Sequence, residues 1–93
     1  MGKLLRKLTC RLVNDNTLRD TVILTSLRTN KRYMFDTYMR ELKEQKIYGL
    51  CAVIKDKKYA VYSNDELYAL MNKLHVENCD INVIPMEDLK ALG

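Results

Sequence analysis

The stretch Ile47-Tyr-Gly-Leu-Cys-Ala-Val-Ile54, Lys55-Asp-Lys-Lys58, Tyr59-Ala-Val-Tyr62, Ser63-Asn-Asp-Glu-Leu67 decides how this chain folds. Its first segment is apolar on both parities, with Tyr48, Leu50, Ala52 and Ile54 on one and Ile47, Cys51 and Val53 on the other. A strand covered on both faces loses its alternation, so this one belongs inside a sheet and not at its edge. Asp56-Lys57 occupies the place of a two-residue hairpin loop, without the glycine that eases a type I′ turn. With that loop Ile54 faces Tyr59, Ala52 faces Val61, Cys51 faces Tyr62, and Lys55 faces Lys58 at a solvated tip.

The helix that follows has the clearest signals in the chain. Ser63 and Glu66 fit a capping box. Leu67, Leu70, Met71 and Leu74 recur at i, i+3, i+4 and i+7, a single apolar stripe. Asp65 and Glu66 suit the positive end of the helix dipole, Lys73 and His75 the negative end, and Asn78 suits a left-handed stop.

Outward from this core, Lys3 to Val13 alternates so that Lys7, Thr9 and Arg11 point away from Leu8, Cys10 and Leu12. A strand ending at the Asn14-Asp15-Asn16 turn accounts for the pattern, although Leu4, Leu5, Leu8 and Leu12 also satisfy a helix. Thr21 to Leu27 is β-branched at four of seven positions and reads as a strand, with Arg28 to Lys31 as its turn and Arg32 to Phe35 returning. A helical rival rests on a capping box at Thr17 and Asp20. Asp36 caps a helix over 37–46 with Met39 and Leu42 inward, and an earlier start near Asn30 would bring Met34, Phe35 and Tyr38 onto the same face. Ile81 and Val83 mark a short strand over 80–84, and Pro85 opens a last helical turn carrying Glu87, Asp88 and Lys90. The order β-β-β-α-β-β-α-β-α implies an α+β fold. It has a mostly antiparallel, at most mixed, sheet of five to six strands, two main helices on one face and a short C-terminal helix.

Ninety-three residues, 47% hydrophobic and 30% charged, suit one domain, residues 1–93, with one core. The longest apolar run, about eight residues, is far short of the roughly twenty that cross a bilayer, and the chain opens without a secretory signal. Three widely spaced cysteines suit a reduced, cytoplasmic interior better than a disulfide framework. Net charge is +4 but uneven: through Ile47 there are eleven Lys/Arg against five Asp/Glu, from Tyr48 onward five against seven, so +6 and −2. One basic and one mildly acidic face are expected.

Catalytic patterns do not emerge. The single histidine, His75, lacks a nucleophile and orienting partner in sequence, and its place at a helix C-terminus explains it. Three glycines leave no phosphate-cradling loop. Cys10, Cys51, His75 and Cys79 would make a zinc set only if the fold converged them; paired C-x-x-C hooks are missing, so neither metal nor cofactor is expected.

The surviving signals concern binding. Arg6, Lys7 and Arg11, then Arg28, Lys31 and Arg32, then Lys55, Lys57 and Lys58 form three basic clusters that suit an anionic partner. Tyr33 and Tyr59 flank two of them and would suit stacking on bases, while Tyr62, Tyr68 and His75 would suit a protein interface. An exposed edge strand would also allow homodimerisation. The expectation is a non-enzymatic regulatory protein that docks on another macromolecule, a protein complex handling nucleic acid being the favoured partner. Direct nucleic-acid binding through the basic tips and N-terminal strand is the alternative. Size and composition alone place such a chain among accessory, sometimes inhibitor-like, proteins of bacteria, phages and mobile elements.

Overall fold

A computed structural model describes residues 6–13, 21–45 and 48–92. The turn expected at Asn14 to Asn16, the cap at Thr17 and Asp20, and the contributions of Leu4, Leu5, Lys46 and Ile47 lie outside them. Six strands form one antiparallel sheet in the order β3-β2-β1-β6-β4-β5: β1 (Arg6–Val13), β2 (Thr21–Ser26), β3 (Arg32–Met34), β4 (Tyr48–Ile54), β5 (Lys57–Val61) and β6 (Asn78–Pro85). The helices are α1 (Phe35–Gln45), α2 (Asn64–Lys73) and α3 (Met86–Lys90). The last strand enters the middle of the sheet, antiparallel to β1 on one side and β4 on the other. No strand pair is parallel among the described residues, so the sheet is antiparallel and not mixed.

Side chains alternate across this sheet, and α1 and α2 pack on one face. Leu8, Cys10, Val22, Leu24, Leu50, Ala52, Ile54, Val61, Ile81 and Val83 from the strands meet Phe35, Tyr38, Met39, Leu42, Leu67 and Met71 from the helices in a single core. Each fully buried Leu, Met or Phe in it contributes on the order of 1.5–3 kcal/mol. The α2 stripe lies as the spacing predicts, with Leu67 and Met71 fully buried and Leu70 and Leu74 packed at its margins. Glu66 N–H donates to Ser63 Oγ at 3.1 Å, so the cap forms. Asp36 and Asn64 tie three element starts together: Val22 N–H donates to Asn64 Oδ1 (2.7 Å), and Asn64 N–H donates to Asp36 Oδ1 (3.1 Å). Asp36 thus lies in the first turn of α1, which begins one residue before it at Phe35.

Four expectations shift. The β4–β5 turn is Lys55-Asp56, both with positive φ (51° and 67°), so Ala52 pairs with Tyr59, Cys51 with Ala60 and Val53 with Lys58. The register differs by two residues from the one the composition suggests, which preserves every face because the side-chain period is two. Positive φ at both positions is the type I′ geometry, reached here without glycine; Lys55 Nζ also donates to the Leu74 carbonyl at 3.0 Å, docking the turn on the end of α2. Second, α2 stops at His75, not Asn78. His75 has φ 59°, its N–H donates to the Asn72 carbonyl and that of Val76 to the Met71 carbonyl, a Schellman closure. Asn78 is freed to start β6. Third, Pro85 ends β6 and caps α3 from outside the helix. Fourth, Phe35 leaves β3 for α1, while Met34 stays in β3 and is 46% exposed.

The short helix α3 lies on the face opposite α1 and α2. Gly49 points to that side, and a Cβ there would stand 2.5 Å from Leu89 Cδ2 and 3.4 Å from Met86 Cε. Leu89 and Cys51 are fully buried yet stand apart from the main core, Leu89 against Gly49 at one end of β4 and Cys51 on the same face of that strand. Here a glycine is needed for close approach. Gly49→Ala should cost about 1–3 kcal/mol by overpacking. In a Leu89→Ala background the same change should cost markedly less, read as a non-additive double-mutant cycle in urea unfolding.

Candidate docking face of the sheet

Among the described residues only α3 lies on the outer face, at one end, which leaves β3, β2, β1 and part of β6 without a helix above them. One cross-strand row spans all six strands as Arg32, Thr25, Thr9, Asp80, Val53 and Lys58. A second row runs Met34, Ile23, Arg11 and Asn78, and a third includes Lys7 beside Asn82. Lys7, Arg11, Arg32 and Lys58 are exposed on this face, so these rows carry four cations and the single carboxylate of Asp80. Ile23 and Met34 make a small apolar patch between Arg11 and the β3 edge.

Two shallow grooves mark this end of the molecule. The first runs over β2, β1 and β6 between Thr9, Arg11, Ile23, Thr25, Arg32, Asn78 and Asp80. The second lies where α2 runs out, between Arg11, Leu12, Tyr68, Asn72, His75, Glu77 and Asn78. Arg11 and Asn78 border both, so the grooves meet around the end of β1. The Schellman closure at the end of α2 places His75 and Val76 in the lining of the second groove.

The structure sorts the residues expected from sequence. Arg11 and Arg32 converge on the first groove, and Arg11, Tyr68 and His75 on the second. Lys7 and Lys58 share the outer face, and Arg6 opens β1. Arg28 lies in the β2–β3 turn with Lys31 just beyond it, where Asn30 takes φ 60° and its N–H donates to the Ser26 carbonyl at 2.8 Å. Lys55 lies in the β4–β5 turn and Lys57 follows it, at the other edge and opposite end of the sheet, so the basic clusters do not merge into one patch. Lys31 Nζ stands 5.4 Å from the Tyr33 ring centroid. Tyr33 and Tyr59 are on the helix-covered face, packed against the core; Tyr33 meets Tyr38 with ring centroids 4.8 Å apart. They do not stand beside the outer-face cations. Tyr62, just past β5, is 48% exposed and belongs to neither groove.

The four residues weighed as a zinc set separate. Cys10 and Cys79 are directly opposed across β1 and β6, with Sγ atoms 2.9 Å apart, and Met71 Sδ lies 3.6 Å from Cys10 Sγ. Cys51 faces the other side of the sheet, and burial pushes its thiol up from the ordinary range, opposed in part by the Tyr59 backbone and Lys58. Hydrogen bonding from Cys79 holds Cys10 below the ordinary thiol range, with burial opposing. The same contact and burial push Cys79 up. No spacing rule links residues 10 and 79; only the register of a strand entering mid-sheet reveals the pair.

Compared with known proteins, the chain matches no protein-family model, no curated protein and no solved structure. No helix among the described residues is long and apolar enough to cross a membrane.

Asn82 borders the open face beside Lys7 and Cys51, and its Oδ1 is buried without a hydrogen-bond partner. A buried acceptor left unpaired is destabilising, whereas an apolar group of similar shape is not. Asn82→Val is expected to raise stability by about 1 kcal/mol, measured as a higher urea midpoint at unchanged slope.

Proposed function

We propose that this protein is a non-enzymatic binding and regulatory factor that docks on an acidic protein surface through the open outer face of its sheet. The observation that carries the reading is the cross-strand array that sets Arg32, Arg11, Lys7 and Lys58 on one face with a single carboxylate, Asp80, and the apolar pair Ile23 and Met34. Arginine and methionine on a small apolar patch with a charged rim is the composition of a protein interface. Fixed on adjacent strands, these side chains keep their spacing without ordering a loop, which lowers the entropic cost of docking. The excess of cations selects an acidic partner and speeds its approach.

Direct nucleic-acid binding is the competing reading, and the placement of the aromatics weighs against its single-stranded form. Strands β1, β2, β3 and β6 contribute one aromatic, Tyr33, and its ring faces the core. Base stacking, which supplies on the order of 1–3 kcal/mol per base, has no platform on their outer face.

The two readings separate by titration of the protein against duplex and single-stranded DNA and RNA at about 50 and 200 mM salt. The expected result is no saturable binding at the lower salt. In parallel, purified interactors recovered from nuclease-treated host extract are assayed individually. Arg11→Glu with Arg32→Glu should weaken capture of an acidic partner at least about tenfold, near 1.4 kcal/mol, while leaving the unfolding transition in place. Tight, steeply salt-dependent binding to a polynucleotide, abolished by the same pair of changes, would replace the protein partner with nucleic acid.

A further inference from the structure

The central strands carry a chemical feature that docking does not use. Cys10 and Cys79 are direct cross-strand partners with Sγ atoms 2.9 Å apart. Two rungs along the same ladder, Leu12 N–H donates to the Glu77 carbonyl, which makes Leu12 and Glu77 a hydrogen-bonded pair and, by alternation, Cys10 and Cys79 another. Such pairs hold their Cα atoms roughly 5.5 Å apart, inside the range a disulfide spans. Both sulfurs therefore stand in place for a bond without backbone movement. We propose that Cys10 and Cys79 form a reversible intramolecular disulfide, a redox modification site that locks the first strand of the chain to the last.

The chemistry balances with a hydroperoxide as oxidant. The thiolate of Cys10 attacks one peroxide oxygen: an S–O bond forms, the O–O bond breaks, and the departing hydroxide takes up a proton to become water. The Cys79 sulfur then attacks the resulting sulfenic acid. An S–S bond forms, the S–O bond breaks, and a second water leaves with the Cys79 proton. Two thiols lose two electrons, and hydrogen peroxide is reduced to two waters. A dithiol reverses the bond by exchange. The hydrogen bond from Cys79 favours the Cys10 thiolate that opens this sequence. Cys10 is fully buried on the helix-covered face, so access to the pair runs past the half-buried Cys79. Cys51, buried on the other face of the sheet, is placed to remain reduced and serves as an internal control.

The disulfide would bridge residues 69 apart in sequence, a long loop whose closure constrains the unfolded chain strongly. Because Arg11 follows Cys10 and Asp80 follows Cys79, the clamp lies directly beneath the open face, yet its formation does not depend on what that face binds.

The test treats the full-length protein, folded and reduced, with hydrogen peroxide in slight molar excess, then alkylates and maps it without reduction. The expected product is a monomer that has lost two hydrogens, with Cys10 linked to Cys79, Cys51 alkylated, and a Tm raised by about 5 °C or more. Dithiothreitol should restore the starting mass and Tm. Cys79→Ser should instead retain sulfenic acid on Cys10, trapped by dimedone; should that variant not fold, the wild-type map decides alone. A linkage through Cys51, a disulfide-bonded dimer, over-oxidation of Cys10 without a linkage, or a lowered Tm in the linked form would each overturn the proposal.

Discussion

The structure depends on the insertion of β6 between β1 and β4. Without it, β1 to β3 would form a meander ending in an open edge at β1, and β4, β5 and α2 would form a separate unit ending at β4. β6 closes both edges at once, bonding to β1 over Arg6 to Arg11 and to β4 over Tyr48 to Val53. Its inward side chains, Ile81 and Val83, complete the core beneath both helices. A segment near the end of the chain must therefore meet one at its beginning before the sheet is whole. That pairing is non-local and delays the reward for loop closure, the situation that slows folding of β-rich topologies.

The same insertion organises the surface. α1 and α2 cover most of one face, and α3, only five residues long, covers a corner of the other. What remains is a polar sheet face bounded by two short edges. β3 is three residues long, and β5 begins with Lys57 and Lys58. Short edges and edge lysines both discourage pairing with another chain, so the outer face is better suited to docking than either edge. The alternation that buries Leu8, Cys10 and Leu24 lifts Thr9, Arg11 and Ile23 outward. Core and candidate site are two readings of one pattern.

The thiol pair adds a second consequence of the mid-sheet strand. Cysteine is often a small apolar core residue, and the buried Cys51 fits that description. Cys10 and Cys79 differ because their two strands set them face to face, with the Met71 sulfur close behind. Hydrogen bonding within the pair divides the two thiols: one is made easier to ionise and the other harder. A redox-sensitive contact at the seam where the sheet is completed would tie the fold's least local pairing to its chemical surroundings.

The sequence by itself determined the elements: their order, the hairpin leading into a capped helix, the stripe of Leu67 and Met71, and the outward parity of Lys7, Thr9 and Arg11. These follow from local physics, since period and capping act over a few residues. Register and stopping points were less legible. A two-residue slip of the β4–β5 hairpin leaves every face unchanged, and both His75 and Asn78 tolerate the left-handed turn, so composition does not choose between them. Only the tertiary structure decided which strands are neighbours. It set α3 on the far face because Gly49 lets Leu89 approach, drew Arg11 and Arg32 to one groove while sending Tyr33 and Tyr59 to the core, and brought Cys10 against Cys79. Those outcomes depend on contacts between distant segments, and no local signal in this chain encodes where its last strand will enter.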